Sequence, residues 1–256
     1  MENSVLTYSL IVGAFVGLAS GYLGSLMVLR RMALVGDALS HVALPGLALG
    51  LLWNFPPFFG AFGALLIAIV LIWLIENRTK LSTETLVGIF FTLSLSIGLL
   101  ITPEPELLEA LFGDIAKTTP LETFLAVVFS LIAIITVSKI YNRLVLGTIS
   151  NDLASSIGIR TKKIDFIFLL IVALIVALGI KIVGSLLMGA LVIIPAAAAK
   201  NLSRNLSTYS GFSALFGLLS AAGGVYLASH LGFSPGPIVV LTSSAVFFIS
   251  LIFKRA

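Results

Sequence analysis

Long apolar runs separated by short polar connections make up most of this chain. A membrane-spanning helix needs about 20 mostly apolar residues. One of the runs is short and contains Pro195, so it is either a partial or a re-entrant segment, and eight full spans fit the pattern nearly as well as nine. The pattern predicts an all-α, polytopic membrane helical bundle with 8-9 transmembrane helices. The predicted helices lie near residues 4–28, 32–52, 57–76, 82–101, 121–141, 164–182, 184–200, 206–229 and 236–253.

The composition agrees with this pattern. Of the 256 residues, 59% are hydrophobic and 10% are charged, whereas soluble domains carry about 25% charged residues. Few residues lie outside the apolar runs, so we predict a single transmembrane domain over residues 1–256, without a soluble catalytic domain. The net charge of +4 does not indicate nucleic-acid binding, and the absence of cysteine limits any metal site to nitrogen and oxygen ligands.

Basic residues are distributed unequally between the two ends of the predicted bundle. By the positive-inside rule, the richer end is cytoplasmic, which puts the amino terminus outside and the carboxyl terminus inside. Only Lys117 and Lys181 fall at the other end. The richer end collects Arg30, Arg31, Arg78, Lys80, Lys139, Arg143, Arg160, Lys162, Lys163, Lys200, Arg204, Lys254 and Arg255.

Glycines at four-residue spacing mark two helix faces. In the first predicted helix they are Gly13, Gly17 and Gly21, and in the second they are Gly46 and Gly50. Such faces allow close approach of a second helix. We therefore predict tight helix packing at both.

Asp37 and His41 are the chemically most informative pair. An ionisable group inside a membrane span is costly and typically functional, and residues four apart share one helical face. The pair could hold half of a divalent-cation site, and a homodimer would supply two aspartates and two histidines. Zinc, manganese and iron(II) all suit these ligands. The alternative is structural: Asp37 pairs with Arg30, Arg31 or another cation near the cytoplasmic surface, and His41 is hydrogen-bonded within the bundle.

Two further regions are weaker candidates. His230 is predicted near the outer surface, where a histidine is usually just interfacial. The connection from Thr102 to Asp114 carries four carboxylates that could attract a cation or face a partner, although a solvated loop is the simpler interpretation. The predicted second helix begins at residue 32, so Asp37 would lie only about one turn inside the cytoplasmic face, which is shallow for a transport site.

A long cytoplasmic connection is predicted from Asn142 to Lys163. Within it, residues 150–159 begin with Ser-Asn-Asp, continue with Leu153 and Ile157 at helical spacing, and include a glycine where a helix would stop. The pattern predicts a short amphipathic helix between two membrane spans. Such a helix is either a capped connector or a docking element.

The chain has no motif for catalysis. The phosphate-binding loop G-x-x-x-x-G-K-[ST] is absent, as are H-E-x-x-H and G-x-S-x-G. We therefore predict a transport subunit rather than an enzyme. Energy for transport would come either from a partner that hydrolyses ATP or from an ion gradient.

The sequence resembles the metal-type permease subunits of bacterial ABC transporters for zinc, manganese or iron, over nearly its whole length. The resemblance rests on residues 31–41, on residues 183–197, and on the connection from Asp152 to Ile159. It implies that Asp37 and His41 contact the transported metal. It also implies an ATPase-coupling helix that contains Asp152, Leu153, Ala154 and Gly158.

The same resemblance implies partners, mechanism and location. Such permeases are homodimers in the bacterial inner membrane, with separate ATP-binding subunits and an extracytoplasmic metal-binding protein, and they move Zn²⁺, Mn²⁺ or Fe²⁺ inward by alternating access. The turn at 232–237 departs from the family by lacking an acidic residue before its prolines, so no metal role is predicted there. A gradient-driven secondary transporter remains the alternative, although such transporters often contain internal repeats and no second copy of the Asp37/His41 segment is evident. Further alternatives include a membrane protein that transports nothing.

Overall fold

The structure, a computed structural model, describes residues 2–79, 81–101, 111–112, 118–185 and 187–253. These residues form helices and short connections, and no strand occurs among them. The helices are α1 (Glu2–Leu29), α2 (Ala33–Val42), α3 (Leu44–Leu52), α4 (Pro57–Arg78), α5 (Thr83–Ile101), α6 (Pro120–Ile149), α7 (Asn151–Ser156), α8 (Thr161–Val183), α9 (Met188–Leu202), α10 (Leu206–Leu231) and α11 (Pro235–Ile252).

The predicted polytopic helical bundle is confirmed. In the described part of the chain, eight segments are long and apolar enough to cross a membrane, with α2 and α3 together forming one of them. The ninth, α9, has 15 residues, a length of about 22 Å at 1.5 Å per residue. It is helical throughout and continues past Pro195 rather than breaking there, because neighbouring helices can shield an unpaired carbonyl at that depth.

The second span is interrupted at a single residue, Ala43, whose backbone stays helical at φ −72° and ψ −22°. α2 ends at Val42, and α3 begins at Leu44 with Pro45 as its second residue. Proline has no N–H, so Pro45 cannot donate the helical hydrogen bond that the His41 carbonyl would otherwise accept. The discontinuity therefore lies just after the candidate metal-binding residues.

One predicted boundary is wrong. The fifth predicted span was placed at 121–141, with a connection starting at Asn142, but α6 continues to Ile149. Its 30 residues give a length of about 45 Å, which exceeds the roughly 30 Å of a bilayer core. The helix therefore extends beyond the apolar layer. Its last turns need not be apolar, so the hydropathy of the sequence does not indicate where it ends.

The glycine faces pack as predicted. A Cβ at Gly17 would collide with the Gly217 carbonyl oxygen, and a Cβ at Gly21 would collide with that of Ser213, so α1 and α10 are in backbone contact. Gly46 and Gly60 bring α3 and α4 together in the same way. α1 and α10, and likewise α3 and α4, are thus packed backbone to backbone at these glycines.

The basic connections meet at one end of the bundle. There the Arg30 guanidinium donates to Asp165 at 2.6 Å, and the Lys162 ammonium donates to the Asn77 side chain at 3.0 Å. At the opposite end, Leu111 and Phe112 cover the α8–α9 connection and the start of α11. The acidic residues of the 102–114 connection lie outside the described residues, and the direction in which the bundle faces remains a prediction.

Candidate functional site

Asp37 and His41 lie on α2, which starts immediately after a tight turn. After α1 ends at Leu29, Arg31 lies in the left-handed region at φ 60°, and the Met32 amide donates to the Met27 carbonyl at 2.8 Å. This reverses the chain so that α2 folds back into the bundle. Both candidate residues are therefore positioned by continuous backbone from the buried end of α1.

His41 is buried and has an unused hydrogen-bonding atom. Its side chain is 7% exposed, and its Nδ1 has no hydrogen-bond partner among the described residues. The Phe91 ring packs edge-on against the imidazole, with centroids 5.3 Å apart. Leaving a buried polar atom unpaired costs about 1–3 kcal/mol. A ligand that binds this nitrogen would offset that cost.

Asp37 is half-buried, and its carboxylate makes no hydrogen bond or ion pair with a described residue. It lies against Gly189 in the first turn of α9. Asp37 pairs with neither of the nearby arginines, because Arg30 is paired with Asp165 and Arg31 is exposed. Asp37 and His41 do not bond to one another either, which leaves both sets of donor atoms available.

Two breaks in helical structure meet beside this pair. The Ser40 hydroxyl donates to the Ser185 carbonyl at 2.6 Å, and so ties α2 to the connection between α8 and α9. That connection begins at Gly184, whose φ of 82° suits glycine, and a Cβ there would collide with the backbone at Leu111. Irregular backbone at membrane depth occurs where protein or a water-filled cavity surrounds it. The irregular backbone beside Asp37 and His41 is therefore of the kind that lines substrate sites in membrane proteins.

Helix rise relates the pair to the basic end of the bundle. Asp37 packs on Gly189, and eleven helical steps of α9 separate Gly189 from Lys200. Their rise is about 16 Å, roughly half of a bilayer core of about 30 Å.

Asp37 and His41 have no third candidate ligand beside them in the described part of the chain. No group of three or more His, Asp or Glu side chains that could hold a metal ion occurs in the described ranges. Asp37 and His41 therefore form at most half of a four-coordinate site.

The predicted short helix is α7, and it has an open apolar face. The Ser150 side chain caps it by accepting from the Leu153 amide at 3.2 Å, and Gly158 follows with φ 80°. Ala154 is fully buried, whereas Leu153 and Ile157 are 54% and 61% exposed. The helix is thus anchored through Ala154, and it presents Leu153 and Asp152 outward.

His230 lies apart from this site. It is exposed at the end of α10, where its ring contacts Tyr226 with centroids 4.4 Å apart and its Nδ1 lies 3.2 Å from the Ser229 hydroxyl.

Sequence reasoning missed Gly189, Ser185 and Phe91, which surround the Asp37/His41 pair. Gly189 and Ser185 lie in the stretch that carried the family resemblance, but nothing in their local pattern indicates contact with α2.

Known proteins with similar sequences are membrane permeases. The high-affinity zinc uptake system membrane protein ZnuB of Haemophilus influenzae is 35% identical to this chain, over 98% of each sequence. The manganese transport system membrane protein MntC of Listeria monocytogenes is 28% identical, over 99% of this chain and 92% of its own length.

The fold is also found in a solved structure. PsaBC from Streptococcus pneumoniae, in complex with Fab, superposes with a TM-score of 0.86 at 25% identity, over 98% of this chain and 92% of the matched one. These similarities favour the ATP-driven class over the gradient-driven alternative, and they agree with a multi-pass protein of the bacterial inner membrane. A family model described as the ABC 3 transport family matches residues 2–254, and the chain belongs to that family.

Proposed function

We propose that this chain is the membrane-spanning permease subunit of an ATP-driven uptake transporter for a divalent transition metal. Zinc and manganese are the leading cargoes, because they are named for the similar ZnuB and MntC proteins, and the ligand types also suit iron(II). One observation supports this proposal most directly. The buried His41 imidazole has an Nδ1 without a hydrogen-bond partner among the described residues, and it lies one helical turn from the Asp37 carboxylate, which also has no partner among them. The metal would satisfy both groups during its passage.

A homodimer would complete the site. Two copies of α2 beside a twofold axis would contribute two carboxylates and two imidazoles, which makes a four-ligand set. The half-site on each chain supports this arrangement. Weak coordination by residues from two subunits would also let the metal leave when the subunits move apart, as transport requires.

Coupling to ATP would take place through α7. Its anchored Ala154 and exposed Leu153 fit a helix that docks into a separate ATP-binding subunit on the cytoplasmic side. Binding and hydrolysis of ATP on that subunit would move α7, and the motion would open the permease alternately to each side. An extracytoplasmic metal-binding protein would deliver the ion, so the direction is uptake.

The test is metal accumulation by cells that express the permease with its ATP-binding and metal-binding partners. Total zinc, manganese and iron are measured by elemental mass spectrometry for wild type, Asp37→Asn and His41→Ala. The chain has two histidines, so His230→Ala is the matched control. We expect one metal to rise with wild type and with His230→Ala, and to stay at background with the two site variants.

Membrane levels of each variant are measured in parallel by quantitative immunoblotting. If Asp37→Asn and His41→Ala accumulate metal as wild type does at equal protein level, the proposed ligands are wrong. If no metal rises with wild type, the proposed cargo class is wrong.

A further inference from the structure

We propose that Gly189 is a positioning residue for the metal site, and that it fixes where the Asp37 carboxylate stands. This inference rests on the proposed function and deepens it. Gly189 lies on α9, more than a hundred residues from Asp37 in the chain. Its role is to let a carboxylate on one helix reach the amino-terminal end of another.

The contact leaves no room for a side chain. A Cβ at position 189 would lie 2.5 Å from the Asp37 Cβ and 2.6 Å from its Oδ1, with the Cγ at 2.8 Å. All three atoms belong to a short side chain that is close to its own backbone. A methyl group at 189 would therefore push the whole carboxylate away from α9 instead of displacing a flexible tip.

Gly189 lies in the first turn of α9, where it is the second residue, and Leu187 at the helix start provides no side-chain cap. The first amides of a helix lack helical acceptors and carry the positive end of the helix dipole. The missing side chain at 189 lets the Asp37 side chain approach this end of α9, which a Cβ there would block.

A second contact holds the two helices in register. The hydroxyl of the fully buried Ser40, one residue before His41, lies 2.6 Å from the Ser185 carbonyl and 2.6 Å from the Asp37 carbonyl of its own helix, and it can donate to either. Ser185 lies four residues before Gly189, so this bond fixes the start of α9 against the face that carries both proposed ligands. The hydrogen bond sets the separation, and the missing side chain at 189 sets the carboxylate position.

The experiment is a Co²⁺ titration of the permease together with its ATP-binding subunits in lipid nanodiscs. Visible absorption of bound Co²⁺ reports the arrangement of its ligands. Variants are Gly189→Ala, Asp37→Asn, and Gly211→Ala as the matched control, because Gly211 is also helical but a Cβ there would meet nothing within 4 Å. We expect Gly189→Ala to bind at least about tenfold more weakly, as changes to ligand-orienting groups typically do, with a shifted spectrum, while Gly211→Ala matches wild type.

Ser40→Ala provides a milder variant in case Gly189→Ala does not assemble. Its control is Ser220→Ala, because the Ser220 hydroxyl is buried and has no partner among the described residues. We expect an altered Co²⁺ spectrum for Ser40→Ala and a wild-type spectrum for Ser220→Ala.

Two failures are distinguishable. If Asp37→Asn abolishes Co²⁺ binding while Gly189→Ala and Ser40→Ala match wild type in affinity and spectrum, the positioning role is wrong and the proposed function stands. If wild type and Asp37→Asn give the same titration, the proposed metal site itself is wrong.

Discussion

Arg30 and Asp165 join the start of α8 to the end of α1 through a 2.6 Å charge-assisted hydrogen bond. The guanidinium is 12% exposed and also lies over the Phe168 ring, with its carbon 5.7 Å from the ring centroid, whereas Asp165 is 40% exposed. Arg30 is engaged by Asp165, and Asp37 has no cation partner within the described residues. A structural charge pair and a candidate ligand thus lie seven residues apart in the chain.

Asp165→Asn is expected to destabilise the protein. The substitution leaves the buried Arg30 charge without its counterion, and the loss of such a bond is worth about 2 kcal/mol. Thermal unfolding in detergent, followed by size-exclusion chromatography, should show a lower midpoint. Asp152→Asn is the control, because Asp152 is exposed on α7; equal midpoints for the two variants would contradict the prediction.

Gly17→Ala is expected to weaken the contact between α1 and α10. The added Cβ would collide with the Gly217 carbonyl oxygen and lie 2.5 Å from the Ala221 Cβ, and forced overpacking costs about 1–3 kcal/mol. The same unfolding measurement on Gly211→Ala should give an unchanged or slightly higher midpoint, because that site is open. A wild-type midpoint for Gly17→Ala would show that the helices separate at little cost.

Pro45→Ala is expected to slow metal uptake without lowering the protein level. Alanine restores an N–H that can bond the His41 carbonyl, which favours one continuous helix in place of α2 and α3. Initial uptake rates should fall severalfold if the break allows the site to open. Pro57→Ala is the control. Pro57 is the first residue of α4, where the backbone N–H has no helical acceptor, so the substitution restores no helical hydrogen bond. Unchanged uptake by Pro45→Ala would exclude the break from the transport cycle.

Leu153→Glu is expected to prevent assembly with the ATP-binding subunit. The side chain is 54% exposed on α7, and a carboxylate placed in an apolar contact leaves a desolvated charge. Co-purification of the ATP-binding subunit with tagged permease measures this directly. Ser207→Glu tests a further exposed position, in the first turn of α10, and should copurify normally. Loss of the partner in both variants would point to general disruption instead.

Much of this architecture follows from the order of apolar and polar residues. Spans were predictable because each must be apolar over a fixed length, and Asp37 and His41 stood out because ionisable groups are rare there. The extension of α6 to Ile149 was not predictable from hydropathy, since the added turns contain polar residues such as Asn142 and Arg143. The contact of Gly189 with Asp37 joins two distant segments, and local spacing carries no information about it.

The shortness of α9 has a consequence for how the chain enters the membrane during synthesis. Its 15 residues, which include a proline, fall below the roughly 20 needed for independent insertion. α9 should therefore remain uninserted until the longer α10 emerges from the ribosome, and the two should enter as a hairpin. A reporter fused after residue 203 would then remain on the side reached by α8 instead of crossing to the opposite side. The candidate metal site, which uses the first turn of α9, would thus form only late in biogenesis.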